Sequence, residues 1–371
     1  MKELKKASFE VAPWVGALPA ESPGAKSVRE WWGSAQHVYP ANTLRAWRAD
    51  WFIYAAFCEE HGATTVPASA STVASFVDAR GAAGKKPATI RRYLTTIALA
   101  HRVAKFANPC AEEPVRHAIK GLTNEVSVAQ RQAKGFGWEP IKTFVETAGE
   151  GLPATRERAL LCVAYDTMAR RSELVALNRG DVTFLEDGSG RALIRRSKTD
   201  QAGEGHTAYL APATVRYLKV WLEMAQIKKG AVFRRLIGTG FPPKQKPRPG
   251  RERKLRTIPE RIGARLSPAA VGNIFKSVAK FIKMAPGDIR GVSGHSIRVG
   301  ATQDLLALNI DLASVMQAGR WKSHRMPMRY GEHVLAGLAG MARAARAQGR
   351  DHLSARASAL SAHEAPLGSM V

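Results

Sequence analysis

A histidine and an arginine stand three residues apart in the run GVSGHSIRVGATQDLLALNIDLASVMQAGRWKSHRMPMRY, from Gly291 to Tyr330. Gly294 precedes what reads as a helix start, so His295 and Arg298 project from one helical face toward one point. An arginine offers a rigid fork of donors, and a histidine can donate a hydrogen bond or move a proton near neutral pH, so the pair suits a substrate centred on a phosphate. The run closes on Trp321, a further N–H donor, and on Tyr330, nine residues later. A phenol is a poor nucleophile while protonated, its reference pKa being about 10, but fixed cations beside it bring the oxyanion within reach. The chemistry this implies is phosphoryl transfer to tyrosine.

The whole chain supports an anionic partner. Its 371 residues carry a formal charge of +25, which favours an acidic polymer, nucleic acid being the commonest. Cys58, Cys110 and Cys162 are scattered and never in CxxC spacing. That argues against a disulfide framework and a zinc site and fits a reducing cytoplasm. The opening residues lack the apolar core of a signal peptide, and no run is long enough to span a bilayer, so a soluble intracellular protein is expected.

The elements that must position these groups follow along the chain. Residues 1–30 mix Pro, Gly, Ala and charges without a period and read as a flexible leader. From Asn42, Leu44, Trp47, Trp51, Tyr54 and Cys58 recur at helical spacing up to a stop at Gly62. A second helix starts near Ser71, with Val73, Phe76 and Val77 inward, and a third lies in KKPATIRRYLTTIALAHRVAKF. In that third helix Ile90, Leu94, Ile97 and Val103 form an apolar stripe, and the flanking positive charge suits a DNA groove. Its candidate contacts are Lys85, Lys86, Thr89 and Arg92. A further helix at Glu113–Leu122 completes a small helical domain over 31–130. The segment from Asn124 to Gly137 loses its period and reads as a linker.

Beyond it, a buried helix turns into a second, and Arg170 and Glu173 fall three apart near that turn, where the carboxylate can orient the guanidinium. Three short antiparallel strands follow in 181–211, with Lys198 at the tip between the second and third. A lysine there can protonate a leaving oxygen, and Arg195 beside it is a further candidate DNA contact. The basic stretch from about Gly238 to Arg265 reads as a mobile phosphate-binding loop. Ser267 opens an amphipathic helix leading back to Gly291. After Tyr330, Val334, Leu338, Met341 and Ala345 form an apolar stripe, and the tail at 349–371 reads as disordered.

Arg170 with Glu173, Lys198 on a hairpin, GHSIRVG carrying His295 and Arg298, AGRW carrying Trp321, and Tyr330 together resemble the tyrosine recombinases, phage integrases included. The resemblance covers about residues 30–348. It implies a mainly α fold with a small antiparallel sheet, arranged as a two-domain C-shaped DNA clamp: a helical core-binding domain over 31–130 and a catalytic domain over 131–348. It implies a site-specific recombinase that cleaves and rejoins DNA through a 3′-phosphotyrosine, without metal, ATP or another cofactor. By the same resemblance Tyr330 is the nucleophile and Lys198 the general acid. Arg170 and Arg298 clamp the phosphate, His295 and Trp321 complete the hydrogen bonding, and Glu173 supports the site. The partners implied are double-stranded DNA bearing an inverted repeat and three further copies of the chain, at the nucleoid. Two other readings stay open at this stage: a type IB topoisomerase and a DNA-binding protein with a vestigial site.

Overall fold

A computed structural model describes residues 12–125, 132–195, 205–238 and 261–350. The chain divides into two compact units, Met1–Gln130 and Arg131–Val371, each with its own core. It is mostly helical with two small antiparallel sheets.

The first unit contains α1 (Pro23–Val38), α2 (Ala41–Glu60), α3 (Ala70–Ala82), α4 (Pro87–Val103) and α5 (Glu113–Glu125). Helix starts follow local chemistry: the Ser22 hydroxyl accepts the Ala25 N–H, Ser69 accepts that of Thr72, and Pro87 occupies the first turn of α4. The expectation of a flexible leader over 1–30 is corrected for its described part. Trp14 is fully buried, its ring centroid 5.6 Å from that of Trp32 and 5.9 Å from that of Trp51, and α1 begins at Pro23. The reason is aromatic burial: indoles contribute large apolar area to a core shared with α2 and α4. Residues 1–11, and the tail from 351, lie outside the described residues.

The second unit opens with α6 (Trp138–Thr147), α7 (Leu152–Thr167) and α8 (Arg171–Ala176). Then come β1 (Val182–Phe184), β2 (Gly190–Ile194) and β3 (His206–Leu210), a three-stranded antiparallel sheet with Val182 opposite Ala192 and Ile194 opposite His206. The β1–β2 turn is fixed by Asp187, whose carboxylate accepts the Ser189 N–H at 2.9 Å, and by Gly188 at φ +82°. Helix α9 (Pro212–Met224) packs on α7 through Leu218 and Trp221. Strands β4 (Arg234–Ile237) and β5 (Arg261–Arg265) pair as a second sheet, so β4 runs directly into the expected basic loop and the loop's last five residues are strand; residues 239–260 lie outside the described residues.

The unit continues through α10 (Pro268–Phe281), α11 (Pro286–Gly291), α12 (Ser296–Ala307), α13 (Leu312–Gly319), α14 (Arg325–Tyr330), α15 (Glu332–Leu338) and α16 (Gly340–Ala347). Central to it is α12, against which the segment 132–137 is laid. Lys134 N–H donates to Gly291 O and Phe136 N–H to Ser296 O, and Asp304 accepts the Trp138 N–H at 2.7 Å. Gly300 allows that approach, since a Cβ there would sit 2.3 Å from the Phe136 carbonyl carbon. The described end of the expected linker is therefore packed structure rather than a tether. Among the described residues, no helix is long and apolar enough to cross a membrane.

Candidate active site

Helix α7 is closed by Met168 in the left-handed region, φ +47°, and Arg170 caps the start of α8. The Glu173 side chain reaches back one turn: its Oε2 accepts the Arg170 N–H at 3.0 Å and its Oε1 accepts Arg170 Nη1 at 2.6 Å. A carboxylate in a first helical turn is favoured by the orphan N–H groups there, so this geometry follows from placing Glu three residues after the helix start. Burial works to raise the Glu173 carboxyl, but the hydrogen bonds and charges of Arg170 and Arg320 together hold it below its usual range.

Helix α12 brings the next two groups. His295 caps its start, its N–H accepted by the Ser293 hydroxyl, and Arg298 lies one turn on, fully packed. The Arg298 guanidinium donates to Met168 O and Gly319 O, and its carbon lies 4.2 Å from the centre of the Trp321 ring. Trp321 can lie there because Gly319 has no side chain; a Cβ would fall 1.8 Å from the indole. Arg298 thus joins the turn before α8 to the turn before α14.

Helix α14 carries Tyr330 at its end, with Pro327 in the first turn, where a proline is tolerated. The Tyr330 hydroxyl lies 2.6 Å from His295 Nε2, and its ring packs edge-on to Trp321 with centroids 6.0 Å apart. Its backbone carbonyl accepts both Gln303 Nε2 at 3.0 Å and Gln132 Nε2 at 3.2 Å. Five of the candidates, Arg170, His295, Arg298, Trp321 and Tyr330, converge. Lys198 lies outside the described residues, in the connection between β2 and β3.

Electrostatics corrects one expectation. Burial raises the Tyr330 phenol above its ordinary value and outweighs the opposing charges of Arg298, Arg170 and Arg329, so the cations do not preform a phenolate. His295 is pulled down to about 4, first by burial and then by Arg298, Arg170 and Arg171, so its imidazole is neutral at neutral pH. Burial, with Arg170 and Arg320 adding to it, lowers Arg298 to about 9, which leaves it cationic. The site therefore presents a protonated phenol against a neutral imidazole beside two guanidinium groups.

The model of the phage integrase family matches residues 139–335, more than half of the chain. The chain belongs to the phage integrase family of tyrosine recombinases. It is 31% identical over 299 residues to an integrase/recombinase XerD homolog of Selenomonas ruminantium, covering 78% of this chain and 81% of that one. It is 23% identical over 293 residues to recombinase Cre of Escherichia phage P1, covering 75% and 80%. Among solved structures, it is similar in fold to the XerH site-specific recombinase bound to palindromic difH substrate in a post-cleavage complex. That match has TM-score 0.56 at 16% identity, over 83% of this chain and 81% of the other. The function that follows is site-specific DNA recombination of the tyrosine type.

In this integrase-family chain the sequence-derived DNA contacts take two forms. Lys85 and Lys86 are exposed at the start of α4, and Thr89 lies half-buried one turn on. Arg92 and Arg195, by contrast, are each bound to a carboxylate. Arg92 Nη2 lies 2.6 Å from the buried Asp50 and Arg195 Nε 2.5 Å from the buried Asp181, while their side chains stay 55% and 64% exposed. These are half-neutralised, fixed guanidinium groups rather than free cations. Sequence reasoning missed Arg320, whose Nη2 donates to Glu173 Oε2 at 2.9 Å. The only signal was its place immediately before Trp321, which a solvated loop arginine would share.

Proposed function

We propose that Tyr330 attacks a DNA phosphodiester to give a 3′-phosphotyrosine, and that a second strand's 5′-hydroxyl reverses the step to complete strand exchange. The Tyr330 oxygen–phosphorus bond forms as the bond to the 5′-oxygen breaks. The phenol proton passes to His295 Nε2, and Lys198 supplies the proton to the departing 5′-oxygen. The observation that carries this reading is the 2.6 Å contact between His295 Nε2 and the Tyr330 hydroxyl, with both groups uncharged. A neutral acceptor in line with a protonated phenol is a general base awaiting its substrate.

Arg170 and Arg298 clamp the non-bridging oxygens, with the Trp321 N–H as a further donor. Charge develops on these oxygens in the pentacoordinate state, so fixed cations stabilise it more than the ground state. They supply what a divalent metal supplies in other phosphoryl transfers. Because the phosphotyrosine conserves the energy of the broken bond, religation needs no ATP.

The first unit binds DNA through Lys85, Lys86, Thr89 and Arg92, and Arg195 contacts it from the second. The target is an inverted repeat bound by a homotetramer, in the cytoplasm at the nucleoid. Support for assembly comes from the end of the chain. The apolar stripe after Tyr330 is split between α15 and α16, neither of which buries a residue, and Met341 is 74% exposed. Such helices gain by docking on a neighbouring copy.

The test mixes purified protein with fragmented DNA, without metal or ATP, denatures it and sequences the DNA left attached. An inverted repeat trapped by the parent and lost in Tyr330→Phe is the expected result. Attachment that survives Tyr330→Phe would overturn the assignment of the nucleophile.

A further inference from the structure

Arg320 ends α13 in the left-handed region, φ +57° and ψ +46°, a position that glycine or asparagine ordinarily fills. Its side chain is only 7% exposed. The guanidinium donates to Thr167 O at 2.8 Å, to Met168 O at 3.4 Å and to Glu173 Oε2 at 2.9 Å. An arginine kept in an unfavourable backbone region and drawn inward has its position imposed by what the guanidinium does.

Its neighbours show what that is. Glu173 is shared: Oε1 takes Arg170 Nη1 and Oε2 takes Arg320 Nη2. With Arg170 alone, the carboxylate would cancel the charge that the phosphate has to feel. A second guanidinium behind the carboxylate leaves the three groups with one net positive charge, directed through Arg170. Arg320 also doubles the link that Arg298 makes between the α7 end and the turn before Trp321, since both donate to Met168 O.

We infer that Arg320 is a positioning residue of the strand-transfer site: by holding Glu173 and the 167–168 carbonyls it keeps Arg170 oriented and effectively cationic toward the phosphate. This rests on the recombination chemistry proposed above. Arg320 itself does not reach the phosphate, because both of its terminal nitrogens are spent on interior acceptors. The charged groups around it are Glu173 and Arg170 at the α8 start, Arg298 on α12 and His206 on β3; Glu173 also faces His295. Loss of Arg320 would let the Glu173 carboxyl protonate at higher pH, as one of its lowering charges disappears.

The test uses the full chain and a nicked DNA carrying the trapped site, following covalent complex formation at saturating protein across pH, with DNA affinity measured in parallel. Arg320→Gly suits the backbone and removes only the side chain. We expect it to cleave about 100-fold more slowly, as misplacement of a clamp group does, at unchanged affinity. The acid limb of its rate profile should move to higher pH, and free guanidinium should restore part of the rate. Arg320→Lys, which keeps the charge but not the fork, should keep the parent's acid limb with an intermediate rate, and it carries the test if the glycine variant does not fold. Adding Arg320→Gly to Glu173→Gln should cost little further, because the two act as one unit. Parent-like rate and pH profile in Arg320→Gly, or full additivity with Glu173→Gln, would overturn the role. A parent protein that traps no DNA would overturn the recombination chemistry and this role with it, so the two failures are distinct.

Discussion

His295 Nε2 faces the Tyr330 hydroxyl at 2.6 Å, and the imidazole is neutral because burial and three arginines pull it down to about 4. As the proposed proton acceptor, His295 would therefore be ready well below the pH at which a free imidazole would have become charged. Single-turnover cleavage should be flat through the ordinary imidazole range near 6.5 and fall only as pH approaches about 4. A titration of the rate centred near 6.5 would refute the neutral-base assignment. His295→Ala should slow cleavage by about 10²- to 10⁴-fold, the usual worth of a general base. The same depression has a stability consequence. The unfolded chain takes up the proton first, so stability present above pH 6.5 is lost as pH falls toward 4, and melting temperature should decline across that interval.

Arg298, a proposed phosphate clamp, also ties the fold together. Its guanidinium satisfies Met168 O and Gly319 O and lies over the Trp321 ring. Arg298→Lys keeps a charge but loses the planar fork that spans both carbonyls; Met168 O keeps Arg320, so the acceptor at risk is Gly319 O, at a cost of about 1–3 kcal/mol if it is left unpaired. Denaturant unfolding should show that loss. Cleavage should fall by about 10²- to 10³-fold, as when one preorganised donor is removed from an electrostatic site.

Gly319 gives access to the contribution of Trp321 without replacing a titratable group, its carbonyl still accepting from Arg298. A methyl at Gly319 would meet the indole at 1.8 Å, so Gly319→Ala must displace the ring from the Arg298 guanidinium. Overpacking of this kind costs about 1–3 kcal/mol. We expect reduced cleavage with DNA affinity intact, and a wild-type rate would show that the indole position is not used.

Much of this site was legible in sequence because its groups lie on short local motifs. His295 and Arg298 share one turn of α12, and Glu173 completes the turn that Arg170 begins. What was not legible depends on partners distant along the chain. Arg320 meets Glu173 across 147 positions, and Arg92 meets Asp50 across 42, so neither pairing leaves a periodic signal. The phenol's acidity was misjudged for a related reason: residue types reveal the cations near Tyr330 but not the burial that outweighs them. The leader was misread because a single tryptophan has no period, although Trp14 lies within a group of four indoles with Trp31, Trp32 and Trp51.

That indole group makes the N-terminal segment a stability element. Trp14→Ala empties a fully buried aromatic site and should cost about 3–5 kcal/mol. Urea titration should show an earlier unfolding transition. Loss below about 1 kcal/mol would mean that the segment can leave the core freely, as a disordered leader would.

The basic residues of α4 should separate into two behaviours. Lys85 and Lys86 are exposed and without a carboxylate partner among the described residues, so as proposed DNA contacts each would act through charge alone. Lys85→Ala or Lys86→Ala should weaken binding uniformly across sequences and reduce the slope of log affinity against log salt by about 0.9 for each phosphate no longer neutralised. Arg92 differs because Asp50 fixes its fork and Thr96 donates to the same carboxylate. Burial already raises the Asp50 carboxyl, and the Arg92 charge and hydrogen bond oppose that rise. Arg92→Ala therefore strands a buried acid and should destabilise the first unit by about 1–3 kcal/mol, whereas the lysine variants should not. Asp50→Asn leaves the guanidinium charge but frees its orientation. If Arg92 reads a base edge, Asp50→Asn should relax sequence preference while leaving the salt slope unchanged, and a fall in that slope would assign Arg92 to a phosphate instead.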